Sequence, residues 1–412
     1  MTMAPDMTAA APWRRHLERS ADHALIGIAV VLPWSPSATS VLLVAWLVLQ
    51  TPTLSWPVAR RVLAAPAAAL PIALFLFAAI GMLWADVSWI ERWHGFDSFF
   101  RLLVIPLMMM HGLRSARVMP VVHALLASCA ALLAASFLHV ALYGQPWLPG
   151  AYPGVPVNDY IVQSTLFVVC AFILLECGLA RWREGDRGVA AALWCLAAAF
   201  VGNILIVATG RTNLVTLVVL VVVFGLRRSH WRVALAVVAV ALAAGVATYA
   251  MSSHLRAKVA TVQDEVSRYL SGGELTSAGY RLGFWGISLD AMRAAPVLGH
   301  GTGGIERAFR ETVERRGLPA ELVTRNPHNQ VLTVGIQLGL AGVALLVATW
   351  LSHLLLLWRA SGPVAWAGLV VTVTGIVGAM FNSMLFDFTP GWLYILMVGT
   401  MAGHVLRESR AD

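Results

Sequence analysis

The chain has 412 residues, of which 59% are hydrophobic and only 12% charged, and its formal net charge is +8. With a mean hydropathy of +0.75, that composition excludes an ordinary soluble domain and describes a polytopic membrane protein. The positive excess does not mark a nucleic-acid binder, because it sits in short loops between apolar segments, where arginine faces anionic lipid headgroups.

From the N-terminus, Arg14, Arg15 and Arg19 precede the apolar run Ala24 to Pro33. Its polar leader suits an uncleaved first span better than a secretory signal. Twelve apolar stretches follow one another at 22–34, 38–52, 65–84, 98–111, 118–143, 159–180, 188–208, 213–226, 233–251, 328–358, 363–383 and 391–406. Several approach the ~20 residues a helix needs to cross ~30 Å of hydrocarbon. The tenth is long enough to tilt or to project beyond the bilayer. The fold class expected is all-α, with about twelve transmembrane helices and a helical outer loop.

Every second gap is basic: Arg60 and Arg61, then Arg114 and Arg117, then Arg181, Arg183 and Arg187, then Arg227, Arg228 and Arg232, then Arg359. Arg407 and Arg410 close the series. The intervening gaps carry no positive charge at Trp34–Ser40 and Gln145–Asn158, and only Asp387 between Ser383 and Pro390. The positive-inside bias therefore puts both termini in the cytoplasm. Cys129, Cys170, Cys177 and Cys195 fall inside apolar spans, so they read as packing residues without a disulfide or metal framework.

The gap before the tenth span, 252–327, is long and holds ten basic and eight acidic residues. A solvated cap outside the membrane follows, dividing the chain into spans one to nine (1–251), the loop (252–327) and spans ten to twelve (328–412). Ser253 to Leu270 reads as an amphipathic helix, Ala278 to Ala294 as a second, and Ile305 to Arg316 as a third. Ala295, Pro296 and the glycines up to Gly304 interrupt them.

Three places at the outer surface carry chemistry. Gly210, Arg211, Thr212 and Asn213 open the eighth span, where free N–H groups and the helix dipole attract anions. Arginine there suits a phosphate; the alternative is a snorkelling anchor at a helix end. In the second loop helix, Tyr280, Arg281 and Trp285 offer a guanidinium fork for phosphate and an indole for stacking, against the alternative of a solvated amphipathic face. Asn326 to Gln330 opens the tenth span with Pro327 before or at its first turn. A neutral His328 there can accept a proton as a general base, the alternative being a capping or interfacial histidine.

The stretch GYRLGFWGISLDAMRAAPVLGHGTGG from Gly279 to Gly304, the run NPHNQVLTVGIQLGLAG from Asn326, and ATGRTN from Ala208 together resemble the O-antigen ligase and polymerase superfamily, and its ligase family in particular. That resemblance implies a GT-C-type enzyme of a Gram-negative inner membrane with its active site on the periplasmic side. Its donor would be O-antigen on undecaprenyl diphosphate, its acceptor a sugar hydroxyl of lipid A-core, with no nucleotide sugar, cofactor or metal. It implies that Arg211 and Arg281 bind the diphosphate and that His328 is the base of an inverting transfer. Asn329, Thr212, Trp285 and Asp387 would support them, with Asp387 orienting His328 or binding sugar hydroxyls, the alternative for Asp387 being a plain helix-end role. A polymerase joining repeat units on the same carrier needs the same three residues. A lipid-linked oligosaccharide flippase is the non-enzyme alternative, disfavoured because it should line its bundle with ionisable residues at mid-membrane, where only His123, His139 and His353 are candidates.

Overall fold

The computed structural model describes residues 12–143, 152–208, 210–228 and 277–409, with isolated positions 232, 256 and 260. Every regular element among them is helical. The first six helices are α1 (Pro12–Val31), α2 (Pro36–Gln50), α3 (Trp56–Leu63), α4 (Pro66–Gly81), α5 (Trp89–Asp97) and α6 (Arg101–Arg114). Then come α7 (Val118–Leu142), α8 (Tyr160–Arg183), α9 (Arg187–Ile206), α10 (Arg211–Arg228), α11 (Ser277–Ala294) and α12 (Ile305–Arg316). The last three are α13 (Gln330–Arg359), α14 (Gly362–Ala379) and α15 (Phe388–Glu408). Local chemistry starts many of them: Asp159 caps α8 by accepting from the N–H groups of Ile161 and Val162 at 2.7 and 2.9 Å, and Ser88 with Glu91 forms a capping box on α5. Each cap satisfies donors that a helix start leaves open.

Among the described residues, six helical segments are long and apolar enough to cross a bilayer, or seven if α2 and α3, bent by 113°, form one span. The chain is a multi-pass membrane protein. Helices occupy eleven of the twelve expected stretches; the one at 233–251 lies outside the described residues, as does the expected helix at Ser253–Leu270. The other two expected loop helices are α11 and α12. Two boundaries differ from expectation. The first helix begins at Pro12 and carries Arg14, Arg15 and Arg19 within it, since a helix can run into the headgroup layer. The fourth stretch is preceded by α5 and opens on the turn Ser98–Phe100, giving a 26-residue apolar segment from Trp89 to Arg114.

The bundle core is held by close backbone approach at glycine, as expected where lipid competes equally for apolar side chains. Helices α6 and α15 pack so tightly that a Cβ on Gly112 would fall 2.0 Å from the Thr400 carbonyl oxygen, and one on Gly403 2.1 Å from that of Met109. A second, smaller core forms outside the bundle, where Phe284, Ile287 and Ala291 of α11 meet Phe309 and Val313 of α12 and Ile336 of α13.

Helix α13 is broken. Gly339 takes φ 62° and ψ −162°, far from helical values. The segment Pro296–Gly301 fills the gap: His300 and Gly301 donate N–H to the carbonyls of Ile336 and Gln337 at 2.8 and 2.9 Å, and Leu340 and Ala341 donate to those of Pro296 and Val297 at 2.8 and 3.2 Å. All four backbone groups freed by the break are thereby satisfied, which an apolar setting demands. Two further bonds extend the lock, from the Thr302 hydroxyl to the Ala78 carbonyl at 2.6 Å and from the Gly303 N–H to Gln337 Oε1 at 2.9 Å. The wedge therefore docks the loop onto α4 and fixes the outer half of α13.

Candidate active site

The outer half of α13 starts from a cap built by Asn329, whose Oδ1 accepts from the N–H groups of Val331 and Leu332 at 3.0 and 3.1 Å. Its Nδ2 donates to the Met380 carbonyl at 2.8 Å. Asn329 is thus fully engaged as a helix cap and as a tie to the α14–α15 turn. His328 stands one residue before the cap, not inside the first turn, and Pro327 lies one further out. It adopts φ 53°, a left-handed conformation uncommon outside glycine. Its main-chain N–H is held by Asn326 Oδ1 at 2.9 Å. The same oxygen accepts from the Ser383 hydroxyl at 2.8 Å, and Ser383 in turn meets Thr333 Oγ1 at 3.0 Å. Backbone strain is thus retained by a hydrogen-bonded net, a pattern found where geometry serves function.

The His328 ring is fixed on two sides. Its Nδ1 lies 2.9 Å from Asn382 Oδ1. An amide oxygen only accepts, so Nδ1 carries a hydrogen, and in the neutral ring Nε2 keeps its lone pair. One face stacks on Phe284 of α11, with ring centroids 6.3 Å apart and planes at 23°. Among the described residues Nε2 has no hydrogen-bond partner. An imidazole with a fixed tautomer and an open Nε2 can take a proton from a hydroxyl brought to it.

Phe284 belongs to the same helical face as Arg281, one turn earlier, and the Tyr280 ring lies tilted beside Phe284 at 5.8 Å. Arg281 is half-buried and has no ion-pair partner among the described residues. Trp285 packs toward Phe381 at 6.4 Å, and its buried indole N–H has no hydrogen-bond partner. It braces α11 against the turn that carries Asn382.

Arg211 is exposed as the first residue of α10. Its neighbours explain the tetrapeptide structurally: a Cβ on Gly210 would lie 2.6 Å from Ser164 Oγ, and buried Asn213 donates to that hydroxyl at 2.7 Å and accepts from Thr165 at 3.3 Å. Thr212 accepts from the Thr216 hydroxyl through its carbonyl at 3.0 Å. Asn213 thus fixes the start of α10 to the start of α8, beside the cap Asp159. Asp159 is close enough to Asp387 to act on its ionisation, as is His328. Arg211, Asp387, His328 and Arg281 therefore lie at one end of the bundle.

Asp387 begins α15 without a side-chain cap bond. Burial pushes its carboxyl up to about 6, with His328 and Arg101 opposing the rise and Asp159 adding to it. Of the roles open to Asp387, the bond to His328 Nδ1 is made by Asn382, because the turn Met380–Asp387 brings the amide, not the carboxylate, to that nitrogen. That turn is clamped by Arg101, which donates to the carbonyls of Phe386 and Asp387, both at 2.6 Å. Asn382 and Arg101 escaped the sequence reading. Asn382 and Ser383 were absorbed into the end of an apolar span; the one signal was a polar pair sharing the outer surface with Asn326.

A cavity of about 140 Å³ adjoins this net, lined by Glu91, His94, Arg325, Thr333 and Phe386. Among the described residues no group of three or more His, Cys, Asp or Glu side chains is arranged to hold a metal ion.

A multi-pass helical membrane protein with two arginines and a tautomer-fixed histidine at one end of its bundle is the setting in which the comparison with known families falls. Residues 196–347 match a family model described as O-antigen ligase. The match includes Arg211, Arg281 and His328 together with the wedge and the break in α13, and stops before Asn382 and Asp387. No curated protein matches the chain.

Proposed function

We propose that this protein is an O-antigen ligase, moving a glycan from undecaprenyl diphosphate to a sugar hydroxyl of lipid A-core at the periplasmic face of a Gram-negative inner membrane. The observation that carries the reading is the His328 ring, held by Asn382 with Nε2 open at the end of the bundle where the family match runs. The alternating arginines support twelve crossings of GT-C type with both termini cytoplasmic.

In this reading the acceptor hydroxyl gives its proton to His328 Nε2 as its oxygen attacks the anomeric carbon. The bond from that carbon to the diphosphate oxygen breaks on the opposite side, which inverts the centre and releases undecaprenyl diphosphate. Arg211 and Arg281 bind the diphosphate and stabilise the negative charge that grows on it, where electrostatic catalysis is strongest. Asn382 keeps Nδ1–H paired throughout, so the imidazolium forms without reorganisation. No side chain in the scheme requires a metal. The polar cavity beside Thr333 suits saccharide hydroxyls.

The test is the lipopolysaccharide pattern of a deletion strain complemented with wild type or with His328→Ala, read beside the pool of carrier-linked glycan. Core alone, with long glycan accumulating on the carrier, is the expected result for the deletion and for His328→Ala. Core bearing one repeat would make the protein a polymerase, and an unchanged ladder would overturn both.

A further inference from the structure

The end of the bundle opposite His328 holds a second constellation that the transfer reaction does not use. Helix α6 relates the two ends: its first residue, Arg101, clamps the Asp387 turn, and its last, Arg114, lines a cavity of about 200 Å³. They are the first and last residues of a 14-residue helix, about 20 Å apart along its axis. The cavity is more than ten times what a single water requires, ~10–15 Å³.

Four guanidinium groups, those of Arg15, Arg19, Arg114 and Arg117, line it against two carboxylates. Both carboxylates are engaged. Asp22 lies 3.1 Å from His111 Nε2 and accepts from the Ser115 hydroxyl at 2.7 Å. Glu18 faces Arg114 at 3.7 Å, and Arg114 also donates to Thr53 Oγ1 at 2.8 Å. Arg15 and Arg19 have no ion-pair partner among the described residues and are exposed, as is Arg117. Gln50 lines the same cavity at 1% exposure, and its Nε2 has no hydrogen-bond partner. A buried amide N–H without an acceptor is uncommon and calls for explanation by an unseen partner.

We propose that this cavity is a binding site for a phosphate group, with Arg15, Arg19 and Arg117 as its ligands and Gln50 beside them. Guanidinium forks match phosphate oxygens in pairs. The ligand chemistry is a phosphate group, supplied either by an anionic lipid headgroup or by a free phosphate. Occupancy would tie α1, α2 and the end of α6 together. The site stands independently of the reaction at the other end.

The test is the thermal unfolding of the purified full chain in neutral detergent, at matched ionic strength, with phosphatidylglycerol, phosphatidylcholine or inorganic phosphate added. A rise in the midpoint with phosphatidylglycerol but not phosphatidylcholine is expected, lost in Arg15→Gln/Arg19→Gln/Arg117→Gln and kept in Arg181→Gln, a control elsewhere on the surface. An equal rise with inorganic phosphate would identify a free phosphate as sufficient; a rise with the lipid alone would identify the headgroup. The proposal is overturned if neither probe raises the midpoint, if phosphatidylcholine is as effective, or if the triple variant responds like wild type. Should the triple variant not fold, Arg19→Gln alone carries the same comparison.

Discussion

Two turns lie against the outer half of α13, and they use hydrogen bonds to opposite ends. The wedge from Pro296 to Gly303 spends its bonds on backbone groups released at Gly339, satisfying a broken helix in an apolar setting. The turn from Met380 to Asp387 spends its bonds on Asn329, Asn326 and His328, leaving one ring nitrogen open. One turn makes the scaffold and the other aims a reactive group. The family match covers the wedge and His328 itself and stops short of the turn that holds the His328 ring.

The comparison breaks most directly at His328. Exchange to alanine removes the proposed proton acceptor and leaves the wedge intact. The glycan transfer rate should fall by roughly 10²- to 10⁴-fold, with the unfolding midpoint of purified protein little changed. A large drop in midpoint would mean that the ring serves the scaffold instead.

Asn382→Ala sharpens the same contrast with a smaller effect. Losing the bond to Nδ1 frees the tautomer and leaves the imidazolium without its partner, worth roughly 1.5–3 kcal/mol for a hydrogen bond to a charged group. Transfer should slow by about 10- to 100-fold, with the deficit in turnover exceeding any deficit in donor affinity. If affinity alone suffers, Asn382 does not act through His328.

Gly339→Ala reverses the pattern. At φ 62° and ψ −162° a side chain is strained, and its Cβ would meet the Val297 backbone at 2.3 Å. Stability should fall by about 1–3 kcal/mol from the backbone conformation alone, seen as a lower midpoint and lower yield. Material that does fold should retain its rate; a folded but inactive variant would couple the wedge to the chemistry.

The smallest effect belongs to Asp387. Its folded carboxyl titrates near 6, above the ordinary 3.8, so the native state binds the proton more tightly than the unfolded chain. The associated stability is present below about pH 4 and lost as pH rises through about 6. Asp387→Asn should therefore gain on wild type by a few degrees in midpoint above pH 6, with the gap closing near pH 4. A gap that widens on acidification would mean that the carboxylate is paired in the native state.

Several elements were legible because their cause is local. Apolar runs bounded by arginine predicted α7, α8, α9 and α14 to within a few residues, since hydrocarbon thickness and backbone satisfaction leave a membrane helix little choice. The loop helices α11 and α12 followed from their periodicity and from the glycines between them. The break in α13 did not, because hydropathy is blind to φ, and Gly339 sits in a run as apolar as its neighbours. Asn382 was missed for a related reason: its partner is 54 residues away, and nothing in the intervening sequence sets the register of the turn.

The sequence by itself determined a multi-pass helical protein, the order of its helices and the identity of His328, Arg211 and Arg281 as residues to examine, because composition, charge placement and motif are written along the chain. Tertiary structure alone decided that His328 stands outside its helix in a left-handed conformation, that Asn382 and not Asp387 holds Nδ1, and that an external turn repairs a broken helix. Each of these depends on which backbone groups lose their local partners and which distant segment packs close enough to replace them.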